Sequence, residues 1–251
     1  MSDGIAALRG QTALITGGAR RVGAALARAL HAAGADIIIH YHRSRDDAQT
    51  LAAEFEATRP RSALALGADL LDVAQLAPLI ARTQERFGAL NILINNASSF
   101  YPTPLGQITL TQWEDLIGTN LRAPLFLAQA AAPALRASGG LLLNIVDIHG
   151  MRPLRDHSVY CAAKAGLIML TRALARELAP QVRVNAIAPG PVLWPEAGME
   201  PELEQKIIAR TPLGRAGSPQ DIARAALFFA REAPYVTGQI LAVDGGRSVG
   251  W

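Results

Sequence analysis

The sequence predicts an α/β fold, a doubly wound parallel sheet flanked by helices, formed by a single domain over residues 1–251. Three observations predict it. Short aliphatic runs alternate with longer alanine-rich segments of helical period, and strands that alternate with helices pair in parallel through right-handed crossovers. Several of the runs are apolar at successive positions, as expected of strands covered on both faces. No repeat, low-complexity tract or composition shift marks a linker between domains.

In chain order the strand candidates are 12–16 (TALIT), 37–40 (IIIH), 62–66, 91–95 (NILIN), 141–146, 182–188 and 239–243. Helical period places helices at about 21–33, 46–58, 73–87, 111–137, 159–179 and 220–231. Residues 190–217 break this rhythm. They are proline-rich, with one short helical stretch near 201–210. A long irregular segment after a strand's carboxyl end overhangs the crevice where such sheets bind ligands, so it is a candidate substrate loop or lid.

Bulk properties narrow the function class. Of 251 residues 18% are charged, and the net charge is only +3 with its positive residues scattered, which argues against a nucleic-acid partner. Cys161 is the only cysteine, so neither an internal disulfide nor a cysteine metal cluster can form. The first residues lack the apolar core of a signal peptide, and no apolar run approaches the roughly 18 residues of a membrane span. The expectation is a soluble cytoplasmic enzyme or binding protein that does not enter a membrane.

Four stretches carry chemistry. TGGARRVG (16–23) follows the first strand and opens a helix: Gly17 permits a tight turn, Gly23 a close helix–sheet approach, and the helix N-terminus offers N–H groups to a pyrophosphate. The tip of the second strand reads HYHRS (40–44), with no acid until Asp46. Arg43 and Ser44 there suit a 2′-phosphate, which favours NADPH over NADH. His40 and His42 share a strand face, but no cysteine or carboxylate completes a metal-ligand pattern, so no metal is expected. The run LLLNIVDIHG (141–150) delivers Asp147 to a strand tip, and Tyr160 and Lys164 follow at helical i, i+4 spacing. Tyr160 is the candidate general acid, and an ammonium beside it is expected to lower its pKa. Capping of the turn after the strand is the plainer role for Asp147. No Gly-x-Ser-x-Gly elbow accompanies His149 or His157, which disfavours a serine hydrolase.

TGGARRVG, Asn95-Asn96-Ala97, Asn120, Tyr160-x-x-x-Lys164, Pro189-Gly190 and Asp244-Gly245-Gly246, in this order, resemble the short-chain dehydrogenase/reductase family over essentially the whole chain. Two departures from the usual pattern narrow the likeness. Arg21 replaces a glycine of the first motif, and Asp147 replaces the serine thirteen residues before the tyrosine. Both are features of the pteridine reductase subgroup, as are HYHRS and NNASSFYPTP (95–104).

The resemblance implies a single Rossmann-type domain with a seven-stranded parallel sheet, commonly a homotetramer. It implies catalysis by Asp147, Tyr160, Lys164 and Asn120. For the cofactor, NADPH, it implies Gly17, Arg20, Arg21, Gly23, His42, Arg43, Ser44, Asp69, Asn96, Ala97, Lys164, Pro189 and Gly190. For a pterin or folate substrate it implies Arg21, Ser98, Phe100, Asp147 and Tyr160, and position adds Trp194 with Leu193 and Met199 on the lid. Phe100 supplies a flat wall for a flat ring. An ionised carboxylate at position 147 would repel the oxyanion of a reduced ketone, whereas a C=N nitrogen must gain a proton. The expected activity is therefore NADPH-dependent reduction of a pterin to the tetrahydro form. The alternatives are a ketone reductase such as a 3-oxoacyl thioester reductase, and a non-catalytic NADPH-binding protein.

Overall fold

A computed structural model describes residues 8–192 and 198–250. Seven strands form one parallel sheet: β1 (Thr12–Ile15), β2 (Asp36–Tyr41), β3 (Ala63–Gly67), β4 (Ile92–Asn95), β5 (Leu141–Ile145), β6 (Arg183–Pro189) and β7 (Ile240–Val243). Their order is β3-β2-β1-β4-β5-β6-β7. β1 pairs with β2 on one side and β4 on the other, with Ile15 opposite both Ile39 and Ile94. Chain direction across the sheet reverses there, and ligand crevices open at that switch, beyond the carboxyl ends of the strands.

Successive apolar residues in the strands serve two separate cores, because side chains alternate across a sheet. Ala13, Ile15, Ile37 and Ile39 face one way. They pack against Leu26 and Leu30 of α1 (Arg21–Ala32), Phe55 of α2 (Arg45–Thr58), and Ile222 and Phe229 of a late helix. Leu14, Ile38, Leu93 and Leu142 face the other way. They meet Leu79 and Ile80 of α3 (Leu76–Phe87), and also Leu127 and Leu174. Each buried aliphatic side chain contributes about 1.5–3 kcal/mol, so the double-sided sheet is the main source of stability.

The predicted helix over 111–137 is two helices. α4 (Leu110–Ile117) opens on a capping box between Thr109 and Gln112, then passes through a π turn (Gly118–Arg122) into α5 (Ala123–Ser138). Apolar periodicity runs through such a turn, so pattern alone misses it; π turns often mark functional positions. Gly118 opens this one because a Cβ there would stand 2.5 Å from Leu71 Cδ2. The stretch 73–87 likewise divides into a 3-10 turn capped by Asp72 and then α3.

α6 (Ser158–Glu177) is long and apolar enough to cross a membrane by length and composition. Its apolar residues are accounted for by the sheet, where Leu167, Ile168 and Leu174 are buried. After β6 come α7 (Pro201–Ala209) and α8 (Pro219–Arg231), the latter opened by a Ser218/Asp221 capping box.

Beneath the crevice runs a buried polar ladder. Asn95 Nδ2 donates to Asn144 Oδ1 at 2.8 Å, Asn144 Nδ2 to Thr171 Oγ1 at 2.9 Å, and Thr171 Oγ1 to the Leu167 carbonyl at 2.8 Å. It joins β4, β5 and α6 at a fixed height. The side chains at their ends are thereby held in a common frame.

Candidate active site

The first loop closes around its glycines. Gly17 adopts φ 58°, a left-handed conformation that costs glycine little. A Cβ on Gly23 would lie 2.0 Å from the Gly17 carbonyl oxygen, so only glycine lets α1 start this close to the loop. Thr16 Oγ1 accepts the N–H groups of Asn96 and Ala97 at 2.9 and 3.0 Å, and Asn96 Nδ2 donates to the carbonyls of Thr16 and Gly17. The NNA stretch thus braces the loop from β4. Arg21 stands at φ 52°, which explains why glycine is the usual residue of the family there. It lines a groove of about 450 Å³ between α1 and α8, whereas Arg20 lines the crevice and pairs with Asp47 at 3.8 Å.

The crevice is a cavity of about 570 Å³. Gly17, Arg20, His42, Arg43, Ser44, Asp69, Ala97, Ser98 and Phe100 all line it. Asp69 also ties its own turn, accepting the Leu71 N–H at 2.9 Å. Two groups there escaped sequence reasoning. His40 is no metal ligand: its Nδ1 accepts the Gly17 N–H at 3.1 Å, so the proton sits on Nε2, which donates to the Ala68 carbonyl at 3.1 Å. It bridges the phosphate loop to the β3 tip. At the far wall Asp115 accepts from Tyr101 Oη at 2.9 Å and from Ser99 Oγ at 3.2 Å, and burial followed by this bond pushes the Tyr101 phenol up to about 12. Asp115 belongs to no motif, and His40 stands in HYHRS without this bridging role being legible there. Their spacing in sequence carried no signal.

Burial, the largest influence, pushes His40 down to about 4. A folded-state value below the unfolded 6.5 means that the unfolded chain binds the proton first. The stability that neutral His40 contributes is therefore present above about 6.5 and lost as pH falls toward 4, about 3 kcal/mol when complete. His40→Gln should lack this slope. Urea midpoints near pH 7 and pH 4 test it, compared between wild type and variant because His31 shifts in the same direction. Equal slopes would remove His40 from the account.

Asp147, Tyr160, Lys164 and Asn120 come together where β5, α6 and the π turn meet. Tyr160 Oη donates to Asp147 Oδ2 at 2.7 Å, while Asp147 Oδ1 accepts the His149 N–H at 2.8 Å. The carboxylate both caps its turn and holds the phenol. Tyr160 is 4% exposed, and its pKa is raised well above the usual phenol value. Burial is the main cause, followed by the charge of Asp147 and the hydrogen bond to it. The expectation of a lowered value is corrected here: Lys164 Nζ lies 5.6 Å from the phenol ring centre, too far to offset a carboxylate in direct contact. Lys164 itself is 2% exposed and pushed down to about 8 by burial, against a raising influence from Asp147. It donates to the Ile145 carbonyl at 3.0 Å. Asn120 is buried in the π turn, with Nδ2 donating to the carbonyls of Ser99 and Leu116 and Oδ1 accepting from Ser98 Oγ at 2.6 Å.

Phe100 is 52% exposed beside this group, with its ring edge-on to Tyr160 at 4.8 Å. Pro189 ends β6, and a Cβ on Gly190 would stand 2.6 Å from Asp244 Cβ, so the chain leaves the strand against the C-terminal segment. Arg247 Nη1 and the Leu213 N–H tie that segment to α7 and the turn after it. Leu193 and Trp194 lie outside the described residues.

The arrangement fits a dinucleotide. A loop with no room for a Cβ at Gly23 faces the start of α1, Arg43 and Ser44 close the cavity beside β2, and Lys164 keeps two N–H groups without partners among the described residues. Comparisons with known proteins agree. The family described as Enoyl-(Acyl carrier protein) reductase matches residues 17–248. The chain is 36% identical to pteridine reductase 1 of Leishmania tarentolae over 94% of its length and 96% of the relative's. It is 37% identical to a 2,5-dichloro-2,5-cyclohexadiene-1,4-diol dehydrogenase of Sphingobium indicum (97% and 98% covered). It is 33% identical to a 3-oxoacyl-[acyl-carrier-protein] reductase of Staphylococcus aureus (94% and 97%).

Proposed function

The chain belongs to the short-chain dehydrogenase/reductase family and is an oxidoreductase, and from that premise we propose that it is an NADPH-dependent pteridine reductase. It takes dihydrobiopterin, and with it dihydromonapterin or dihydrofolate, to the tetrahydro form. The observation that carries this reading is the 2.7 Å hydrogen bond from Tyr160 to Asp147, a carboxylate where the family pattern has serine. We read residues 1–251 as one catalytic domain, with 190–217 as the substrate loop, working in the cytoplasm as a homotetramer. The exposure of Leu241 on the edge strand, of Phe228 on α8 and of Met169 on α6 supports assembly through those faces.

The bound cofactor supplies the hydride. The protein supplies the proton and the orientation. Tyr160 and Asp147 hold one proton between two oxygens 2.7 Å apart, so either can stand nearest the ring nitrogen that must receive it. The anion left behind faces the ammonium of Lys164, whose burial strengthens that attraction. Lys164 also offers its remaining N–H groups to the nicotinamide ribose. Asn120 and Ser98 position the loop that carries Phe100, and Ser98 has a hydroxyl for the pterin. Arg43, Ser44 and His42 at the β2 tip support recognition of a 2′-phosphate, since the nearest acids, Asp46 and Asp47, sit in the first turn of α2. The resemblance gives Arg21 to the pterin and the cofactor phosphate, but Arg21 lines the groove between α1 and α8 and not the crevice, so that role would require its side chain to turn. A ketone substrate would instead develop an oxyanion against Asp147, which the carboxylate opposes.

The test is NADPH oxidation by wild type and Asp147→Ser with dihydrobiopterin, dihydrofolate and acetoacetyl thioester. Pterin turnover in wild type that falls at least about tenfold in the variant is expected, since acid–base groups contribute about a hundredfold or more. Thioester turnover alone, undiminished by serine, overturns the proposal in favour of a ketone reductase.

A further inference from the structure

His157 stands three residues before Tyr160, at the start of α6, and no motif includes it. Its ring lies parallel to Phe100, with centroids 4.8 Å apart and 18° between planes. Phe100 lines the crevice, and one face of its ring rests on the imidazole, which leaves the other face for a ligand. The imidazole is itself fixed. Nδ1 hydrogen-bonds the Arg155 carbonyl at 2.8 Å, and as an N–H it leaves Nε2 as the acceptor. The His157 N–H donates to the Leu154 carbonyl, and its own carbonyl accepts from Cys161. The two loops are joined as well, for the buried Thr103 donates its N–H to the carbonyl of Asp156, a residue held at φ 59°.

We propose that His157 is a positioning residue for substrate: its imidazole backs the Phe100 ring and fixes the wall on which a flat heterocycle stacks. The proposal rests on the pteridine reading. A half-exposed phenyl ring on a loop has rotamer freedom that stacking by a ligand must remove. A second ring behind it removes that freedom before the ligand arrives, so affinity for flat rings rises without new contacts. Tyr160 meets the same ring edge-on, so the wall and the candidate acid keep a constant separation.

The experiment measures KM and kcat for dihydrobiopterin, and KM for NADPH, in wild type, His157→Ala and His157→Phe, with thermal melting as a check of folding. Loss of one aromatic stack corresponds to about a threefold to tenfold rise in pterin KM. That rise is expected in His157→Ala, with kcat within about twofold of wild type and NADPH KM unmoved. His157→Phe, which keeps a flat ring, is expected to restore the pterin KM. An unchanged or lowered KM in His157→Ala overturns the proposal alone, a lowered one meaning that the imidazole competes with substrate. Failure of the phenylalanine to rescue also overturns it. Wild type that turns over no pterin overturns the functional reading and this inference together.

Discussion

Tyr160→Phe is expected to lower kcat for dihydropterin reduction by about two to four orders of magnitude, the usual contribution of a positioned general acid. KM for the pterin should change little. The substitution removes one oxygen and keeps the ring, which packs among Leu116, Val159, Tyr101 and Ile117. Binding surface is therefore retained while the phenol that donates to Asp147 is lost. Because burial and Asp147 together hold the phenol well above its ordinary range, it remains protonated throughout the working pH range and can serve only as an acid or through the shared proton. Steady-state NADPH oxidation, with single-turnover measurement to separate chemistry from product release, checks the split. A kcat within tenfold of wild type would show that Asp147 delivers the proton by itself, through water.

The second large effect is Gly23→Ala. The added methyl would sit 2.0 Å from the Gly17 carbonyl oxygen and 2.8 Å from Asn96 Nδ2, far inside contact distance. Neither neighbour can yield. Gly17 is held by His40, and Asn96 by both Thr16 and Gly17. α1 must move off the sheet, which strips contacts from Leu26 and Leu30, both buried on β1 and β2. A loss of about 3 kcal/mol or more is expected, at the upper end of overpacking effects. On the proposed reading, NADPH affinity should fall at least about tenfold, because the displaced start of α1 could no longer present its N–H groups to a pyrophosphate. Urea denaturation and fluorescence titration with NADPH report the two effects separately. A stable variant with weak cofactor binding would place the strain in the loop alone.

Strand existence, parallel pairing and two-sided burial were legible because each follows from local pattern: a strand such as TALI, with successive apolar residues, fits a sheet covered on both faces. Period alone placed the last helix at about 220–231, within a residue of its Pro219–Arg231 bounds; the capping box of Ser218 and Asp221 that starts it is seen only in the structure. The break at 118–122 was not legible, since the apolar stripe of 111–137 continues through the π turn, where Gly118 packs closely against Leu71, nearly fifty residues away.

At the site, letters and order named the loop glycines, the Tyr160–Lys164 pair and the aspartate at the β5 tip. What each does there depends on distances the letters do not carry. By itself the sequence determined the double-wound sheet, the family, and the placing of Asp147, Tyr160 and the loop glycines at its carboxyl edge, because period, glycine placement and motif order are properties of neighbours along the chain. Only the tertiary structure decided that Tyr160 donates to Asp147, that Lys164 stands too far away to lower the phenol, that His40 locks Gly17, and that His157 lies behind Phe100. Proton affinity and ring orientation are set by burial and by partners brought from other elements, 13 residues away for the first pair and 23 for His40 and Gly17.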